Sequence, residues 1–204
     1  MKKATNYLKE KGTKTTGLDA VAEAVPLYER FGFRKAYDSL RFQKQHPLNE
    51  QQEPLTQNVF PLKEVDFKTV ARFDSGFFGA KRDRVLQGVY SDFEDQCWIA
   101  KRNHRVLGYI MNRKEGNVCR IGPWVCLPKH VEIAKTLFET CISTVNGESL
   151  DIRVGVPATN LDAVELVESL GFKPTPRSVR MFTEERSQIG DVLGIYGIAA
   201  AELG

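Results

Sequence analysis

The sequence predicts an α/β fold of the α+β kind: one mixed central sheet flanked by helices, preceded by a partial second copy of the same unit. Three observations carry this. Residues 27–42 (LYERFGFRKAYDSLRF) and 166–182 (LVESLGFKPTPRSVRMF) form a near-repeat. They share Leu-x-Glu-x-(Phe/Leu)-Gly-Phe, then a basic residue, then Ser-(Leu/Val)-Arg. Residues 97–126 read as three strands with short turns, and the order helix, strand, helix, strand follows. Residues 45–58 (QHPLNEQQEPLTQN) are polar with two prolines, a linker by composition. The expected organisation is the C-terminal half of a domain over 1–44, a linker over 45–58, and a complete divergent domain over 59–204.

In the short unit, residues 4–11 read as the end of a helix, Thr13–Leu18 as a strand and 24–31 as a second helix. Gly32 ends that helix and Gly171 ends its counterpart, because glycine tolerates the left-handed C′ conformation. Phe33 or Phe172 then drops into the core as the chain turns into a strand. In the long unit, residues 62–73 lead from a strand into a helix. A helical stretch over 74–92 puts Phe78, Val85, Leu86 and Val89 on its apolar face. Strands are expected at 97–101, 105–113 and 118–126. Pro128 is read as opening a helix of about 15–18 residues, with Val131, Ala134, Leu137, Phe138 and Cys141 three or four apart. A strand at 150–156, a helix at 160–170, a strand near 178–183 and an apolar tail at 192–200, read as a final strand or a buried segment, complete the order.

Composition narrows the function. With 42% hydrophobic and 27% charged residues the chain reads as a soluble globular protein. A net charge of +3 without a concentrated basic stripe argues against a nucleic-acid partner. Lys101, Arg102 and Arg105, and Arg113 with Lys114, flank short turns, where solvated charge is the simpler reading. Cys97, Cys119, Cys126 and Cys141 show no CxxC spacing, and three of them sit in apolar or strand-like runs as small hydrophobes. The histidines His46, His104 and His130 are scattered, so no metal site is expected. No apolar run approaches the ~20 residues a membrane helix needs, and the N-terminus lacks the apolar core of a signal peptide. A cytoplasmic location follows as an expectation.

Residues 158–172 (ATNLDAVELVESLGF) resemble the Asn-x-x-Ala-x-x-Leu-Tyr-x-x-x-Gly-Phe element of the GNAT superfamily of N-acetyltransferases. Residues 27–33 (LYERFGF) match the second half of that element more closely. The stretches 120–126 (RIGPWVC) and 78–84 (FGAKRDR) are similar to the divergent second domain of tandem GNAT proteins. The resemblance covers nearly the whole chain. It places the pyrophosphate loop of the family just before the first helix of the short unit, so Met1 falls inside or just after that loop; the corresponding turn of the long unit is 126–131. A complete first copy would need about 100 more residues upstream. Either the chain is a fragment or another molecule supplies the missing half.

The resemblance implies acetyl transfer from acetyl-CoA to a primary amine of a small molecule or peptide. A general acid would protonate the departing thiolate, and backbone N–H groups at a helix start would hold the pyrophosphate. It gives Tyr28 the general-acid position of the short unit; an amphipathic core residue is the other reading. The matching residue of the long unit is Val167, which carries no proton to give. Cofactor contacts carry over onto Val125, Leu127, Lys129, His130 and Asn160. Yet the turn at 126–131 has no glycine, and Pro128 removes one donor. Lys129 and His130 are either phosphate contacts or exposed residues of a polar first turn, and Asn160 is either a cofactor contact or a helix N-cap. Arg82 and Arg84 point in different directions on one helix and read as salt-bridge partners rather than a clamp. A sheet edge left by the missing half makes a homodimer an expectation. The alternative to an enzyme is a non-catalytic module of the same fold that binds a ligand or partner; Val167 and the glycine-free turn favour it.

Overall fold

The computed structural model describes residues 2–46, 58–145, 149–183 and 190–200. Its elements, in chain order, begin with α1 (Lys2–Glu10), β1 (Gly17–Val21), α2 (Val25–Glu29), β2 (Arg34–His46) and β3 (Val59–Pro61). Next come α3 (Phe67–Phe78), α4 (Asp83–Asp92), β4 (Cys97–Arg102), β5 (Arg105–Glu115) and β6 (Val118–Cys126). The chain then forms α5 (Val131–Ser143), β7 (Leu150–Pro157), α6 (Leu161–Ser169), β8 (Lys173–Phe182) and β9 (Ile195–Gly197).

All nine strands join one sheet, in the order β1-β8-β2-β7-β6-β5-β4-β3, with β9 paired to β6. The pairs are antiparallel except β6 with β7. This arrangement modifies the expected division of the chain. Strand β2 lies between β7 and β8, and β1 pairs the other side of β8, so residues 17–46 are built into the sheet of the long unit. The strand also runs through Gln45 and His46, both expected in the linker. The rest of that linker, residues 47–57, lies outside the described residues.

The two helix–Gly–strand endings have the same local geometry. Gly32 and Gly171 have φ of 85° and 83°. Phe33 N donates to Tyr28 O at 3.2 Å, and Phe172 N to Val167 O at 3.3 Å. Their strands meet each other: Ser39 faces Ser178, at matching positions of the near-repeat.

Two apolar layers cover the two faces. One packs α5 and α6 against the sheet around Trp124, Leu137, Phe138, Ile152, Val156 and Phe172. The other packs α3 and α4 around Val70, Leu86, Ile99, Tyr109 and Met111, and takes in Ile195 and Ile198 from the tail. A small third cluster, Ala20, Val25, Phe33 and Met181, sits beneath α2. Two boundaries differ from the sequence reading. The stretch 74–92 is two helices, because Gly79 ends α3 in the left-handed conformation at φ 84°. Helix α5 starts at Val131 rather than Pro128, since Lys129 at φ 64° turns the chain before the helix begins. Among the described residues, no helix is long and apolar enough to cross a membrane.

Candidate active site

The parallel pair β6 and β7 is in register only over Val118–Ile121 and Asp151–Val154. Beyond that point the two strands part, and a wedge opens between them toward the start of α5 and α6. A parallel pair that separates leaves backbone donors and acceptors facing each other without partners. Here the chain itself fills the gap. Trp124 faces Gly197 and Val125 faces Ile195 in the antiparallel pairing of β9 with β6. On the other wall, Ile198 N donates to Gly155 O at 2.8 Å. Gly122 makes room for this plug: a Cβ there would collide with the Ile198 carbonyl.

Asn160 locks the plug in place. Its Nδ2 donates to Leu193 O and Ile195 O, both at 2.9 Å, and its Oδ1 accepts from Ala163 N at 3.1 Å. The side chain is therefore the N-cap of α6 and the clamp of the tail at once, and it is buried. Tyr196 packs in from β9 with its ring tilted against that of Trp124, centroids 5.5 Å apart. From the other face, α3 covers the incoming segment, with Asp191 N donating to Gly76 O at 3.2 Å.

The remaining residues expected to hold the cofactor lie at the mouth of this wedge. Val125 is fully buried and paired on both sides, with Tyr109 of β5 and Ile195 of β9. Leu127 N donates to Leu107 O at 2.8 Å, and His130 N to Leu127 O at 3.2 Å. The His130 ring closes on its own turn, its Nδ1 lying 3.1 Å from Pro128 O. Internal bonds thus occupy two of the turn's backbone donors, Pro128 has none, and Glu132 brings a negative charge into the first turn of α5. Lys129 remains exposed there.

Tyr28 sits elsewhere. It is half-buried on α2, its ring edge-on to Phe33 with centroids 5.9 Å apart. Four strand spacings, roughly 19 Å, separate β1 from β6, so Tyr28 and the wedge residues form two separate places. Val167, at the matching point of α6, is fully buried in the main core.

Between these places lies a polar cluster that the sequence reading did not assemble. The side chain of Asp19 is fully buried. It accepts from Arg41 Nη2 at 3.0 Å and Ser39 Oγ at 3.2 Å, and Arg180 Nη1 lies 3.9 Å away. Arg41 Nη2 also donates to Ser178 Oγ at 2.9 Å. Burial pushes the Asp19 carboxyl above its ordinary range, against the pull of Arg180 and Arg41. The signal in the sequence was the repeated Ser-(Leu/Val)-Arg, whose two serines and two arginines meet here.

Other groups are structural. Arg82 pairs with Asp74 through Nε and Nη2, both at 2.8 Å, in agreement with the salt-bridge reading. Tyr109 donates to the same carboxylate, tying α3 and the start of α4 to β5. All four cysteines are free and buried. Burial pushes the thiols of Cys97, Cys119 and Cys126 up to about 12 and raises that of Cys141 well above its ordinary range, so none offers a thiolate nucleophile.

Comparison with known proteins agrees with this architecture. The curated protein YitH of Bacillus subtilis, an uncharacterised N-acetyltransferase, is 23% identical over 188 residues, covering 92% of this chain and 64% of its own. A putative acetyltransferase from Pyrococcus horikoshii shares the fold, with a TM-score of 0.73, 22% identity, and coverage of 99% of this chain and 65% of that one. A GCN5-related N-acetyltransferase from Sphaerobacter thermophilus follows at 0.59 and 15% identity, covering 86% and 61%. The chain thus spans a little under two thirds of these relatives. The family model described as "Acetyltransferase (GNAT) domain" matches residues 70–197, well over half of the sequence and including the plug strand, and the chain belongs to that family.

Proposed function

We propose that this protein serves the transfer of an acetyl group from acetyl-CoA to a primary amine of a small molecule or peptide, with Tyr28 as the proton donor. The observation that carries this reading is a contrast between two strand edges. The wedge beside β7 is filled by β9 and locked by Asn160. No strand pairs with the outer edge of β1 among the described residues, and α2 with Tyr28 follows directly after β1.

In this proposal residues 1–44 are the C-terminal half of a first GNAT unit, and residues 59–204 form a second, divergent unit that shapes the acceptor side. An open strand edge can pair with an extended ligand that carries amide groups, as the arm of acetyl-CoA does. The acceptor nitrogen attacks the thioester carbonyl, the N–C bond forms and the C–S bond breaks. The Tyr28 hydroxyl gives its proton to the leaving thiolate, and the acceptor's proton goes to solvent. Four buried thiols suit a reducing compartment, and a cytoplasmic location belongs to the same proposal.

Calorimetric titration with acetyl-CoA, with desulfo-CoA as the non-reactive comparison, tests it together with turnover on a panel of primary amines. We expect one site per chain near micromolar Kd, about −8 kcal/mol. Tyr28→Phe should lower kcat by roughly 10²–10⁴-fold with acetyl-CoA affinity kept. No binding up to millimolar, or turnover that survives Tyr28→Phe, overturns the proposal. The filled wedge favours a second reading, a non-catalytic module that binds a ligand or partner, and absence of acetyl-CoA binding would select it.

A further inference from the structure

Strand register brings together arginines that lie far apart in the sequence. Arg113 of β5 faces Arg120 of β6, Arg120 faces Arg153 of β7, and Gln43 of β2 continues the row. Facing residues share a face of the sheet, so three guanidinium groups stand side by side across about 10 Å. Like charges directly opposite each other destabilise a sheet. Arg113 Nη2 donates to the Ala199 carbonyl, which gives that arginine a partner within the fold, so it is Arg120 and Arg153 that call for an explanation outside it.

The carboxylates nearby do not supply it. Glu115 reaches Arg120 at 3.3 Å, and Asp151 reaches Arg153 at 2.5 Å. The Arg120 and Arg153 side chains are 42% and 48% exposed; Glu115 is exposed too, so water screens its pair, whereas Asp151 is buried and holds Arg153 from one side only. Each guanidinium has five N–H donors, of which these pairs engage one on Arg120 and two on Arg153. Above the row the surface is concave. A cavity of about 680 Å³ is lined by Arg113, Arg120 and Arg153, by Arg41 from the buried Asp19 cluster, by one carboxylate, Glu115, and by Thr175 and Ile198. That volume suits a small molecule. The cavity also lies at the start of β6, at the far end of that strand from the 127–130 turn where a cofactor phosphate is expected.

We propose that this cavity is a binding site for a small oligo-anion, a molecule carrying two or three phosphate or carboxylate groups spaced along the arginine row. Guanidinium forks take such oxygens two at a time, which gives the row its use. The site stands independently of acetyl transfer.

The test is calorimetric titration of the whole chain at constant ionic strength with inorganic triphosphate in one arm and citrate in the other. At least one of them should bind at a single site, and the arm that binds more tightly separates phosphate from carboxylate recognition. Arg120→Gln and Arg153→Gln should each weaken binding by about 10-fold or more. Lys135→Gln on α5, away from the cavity, should leave it unchanged. Thermal unfolding without ligand is the companion measurement: Arg120→Gln should be as stable as the parent protein or more so, because a repulsion is removed. Absence of binding by either anion up to millimolar, or binding that both arginine variants retain, overturns the proposal. So does marked destabilisation by Arg120→Gln, which would make the row a structural feature.

Discussion

Residues 17–46 and 150–182 run through the same succession of strand, helix, glycine and strand, yet they differ in what stands beside the first strand. Strand β7 has β2 on one side and, on the other, β6 in parallel with the tail wedged between them. Strand β1 has β8 on one side and no described neighbour on the other. The helices differ in step: α2 carries Tyr28, and α6 carries the buried Val167. The lesson is that one local pattern serves two ends. Where a chain's own tail satisfies the strand edges, the place becomes core. At β1 no described segment closes the edge.

The comparison breaks most severely if the covering layer over the plug is loosened. Asp74→Ala leaves the buried Arg82 guanidinium and the Tyr109 hydroxyl without their shared carboxylate. We expect a loss of about 3–5 kcal/mol, read by denaturant unfolding. Amide exchange over 190–198 should rise with it, because α3 presses on that segment. A loss below about 1 kcal/mol would mean that helix packing alone holds the layer.

Asn160→Ala acts on the plug directly. It removes the cap of α6 and strips two tail carbonyls of their donor, at a cost of about 2–4 kcal/mol. Amide exchange should quicken at Ile198 and leave β1 and β2 as they were. Equal quickening in both regions would show that the filled and open edges are not independent.

The smallest effect per side chain separates the regions by pH. All four cysteines lie between residues 97 and 141, and residues 17–46 have none. An unfolded thiol ionises near 9.0, whereas burial holds Cys97, Cys119 and Cys126 protonated up to about 12. The folded state keeps protons that the unfolded state has lost. Their stabilisation is therefore complete below pH 9 and drains away as pH rises toward 12. Each thiol should cost about 1.4 kcal/mol of stability at pH 10. Denaturant midpoints at pH 8 and pH 10 measure the sum, and Cys126→Ala should remove its own share of the pH dependence.

Local patterns carried well from sequence to structure. The Gly-Phe endings, the three-strand meander and the periodic apolar face of α5 were all legible because each is set by neighbours within a few residues. The apolar tail was legible as a buried segment but not as a plug, since nothing in 192–200 says which strand edge it will meet. Asn160 read equally well as a cap or a ligand contact, because both need only a short polar side chain at a helix start. Arg113 read as solvated charge beside a turn, and only the register of β5, β6 and β7 set it in a row with Arg120 and Arg153.

The sequence by itself determined the order of the elements, the points where helices end in glycine, and membership in a family that uses this order. Those follow from hydrophobic period and local backbone sterics, which act over a few residues. The tertiary structure alone decided that β2 slips between β7 and β8, that the tail closes the β6–β7 wedge, and that four arginines line one cavity. Strand pairing across more than a hundred residues is settled by packing and register, and a single sequence carries no local mark of either.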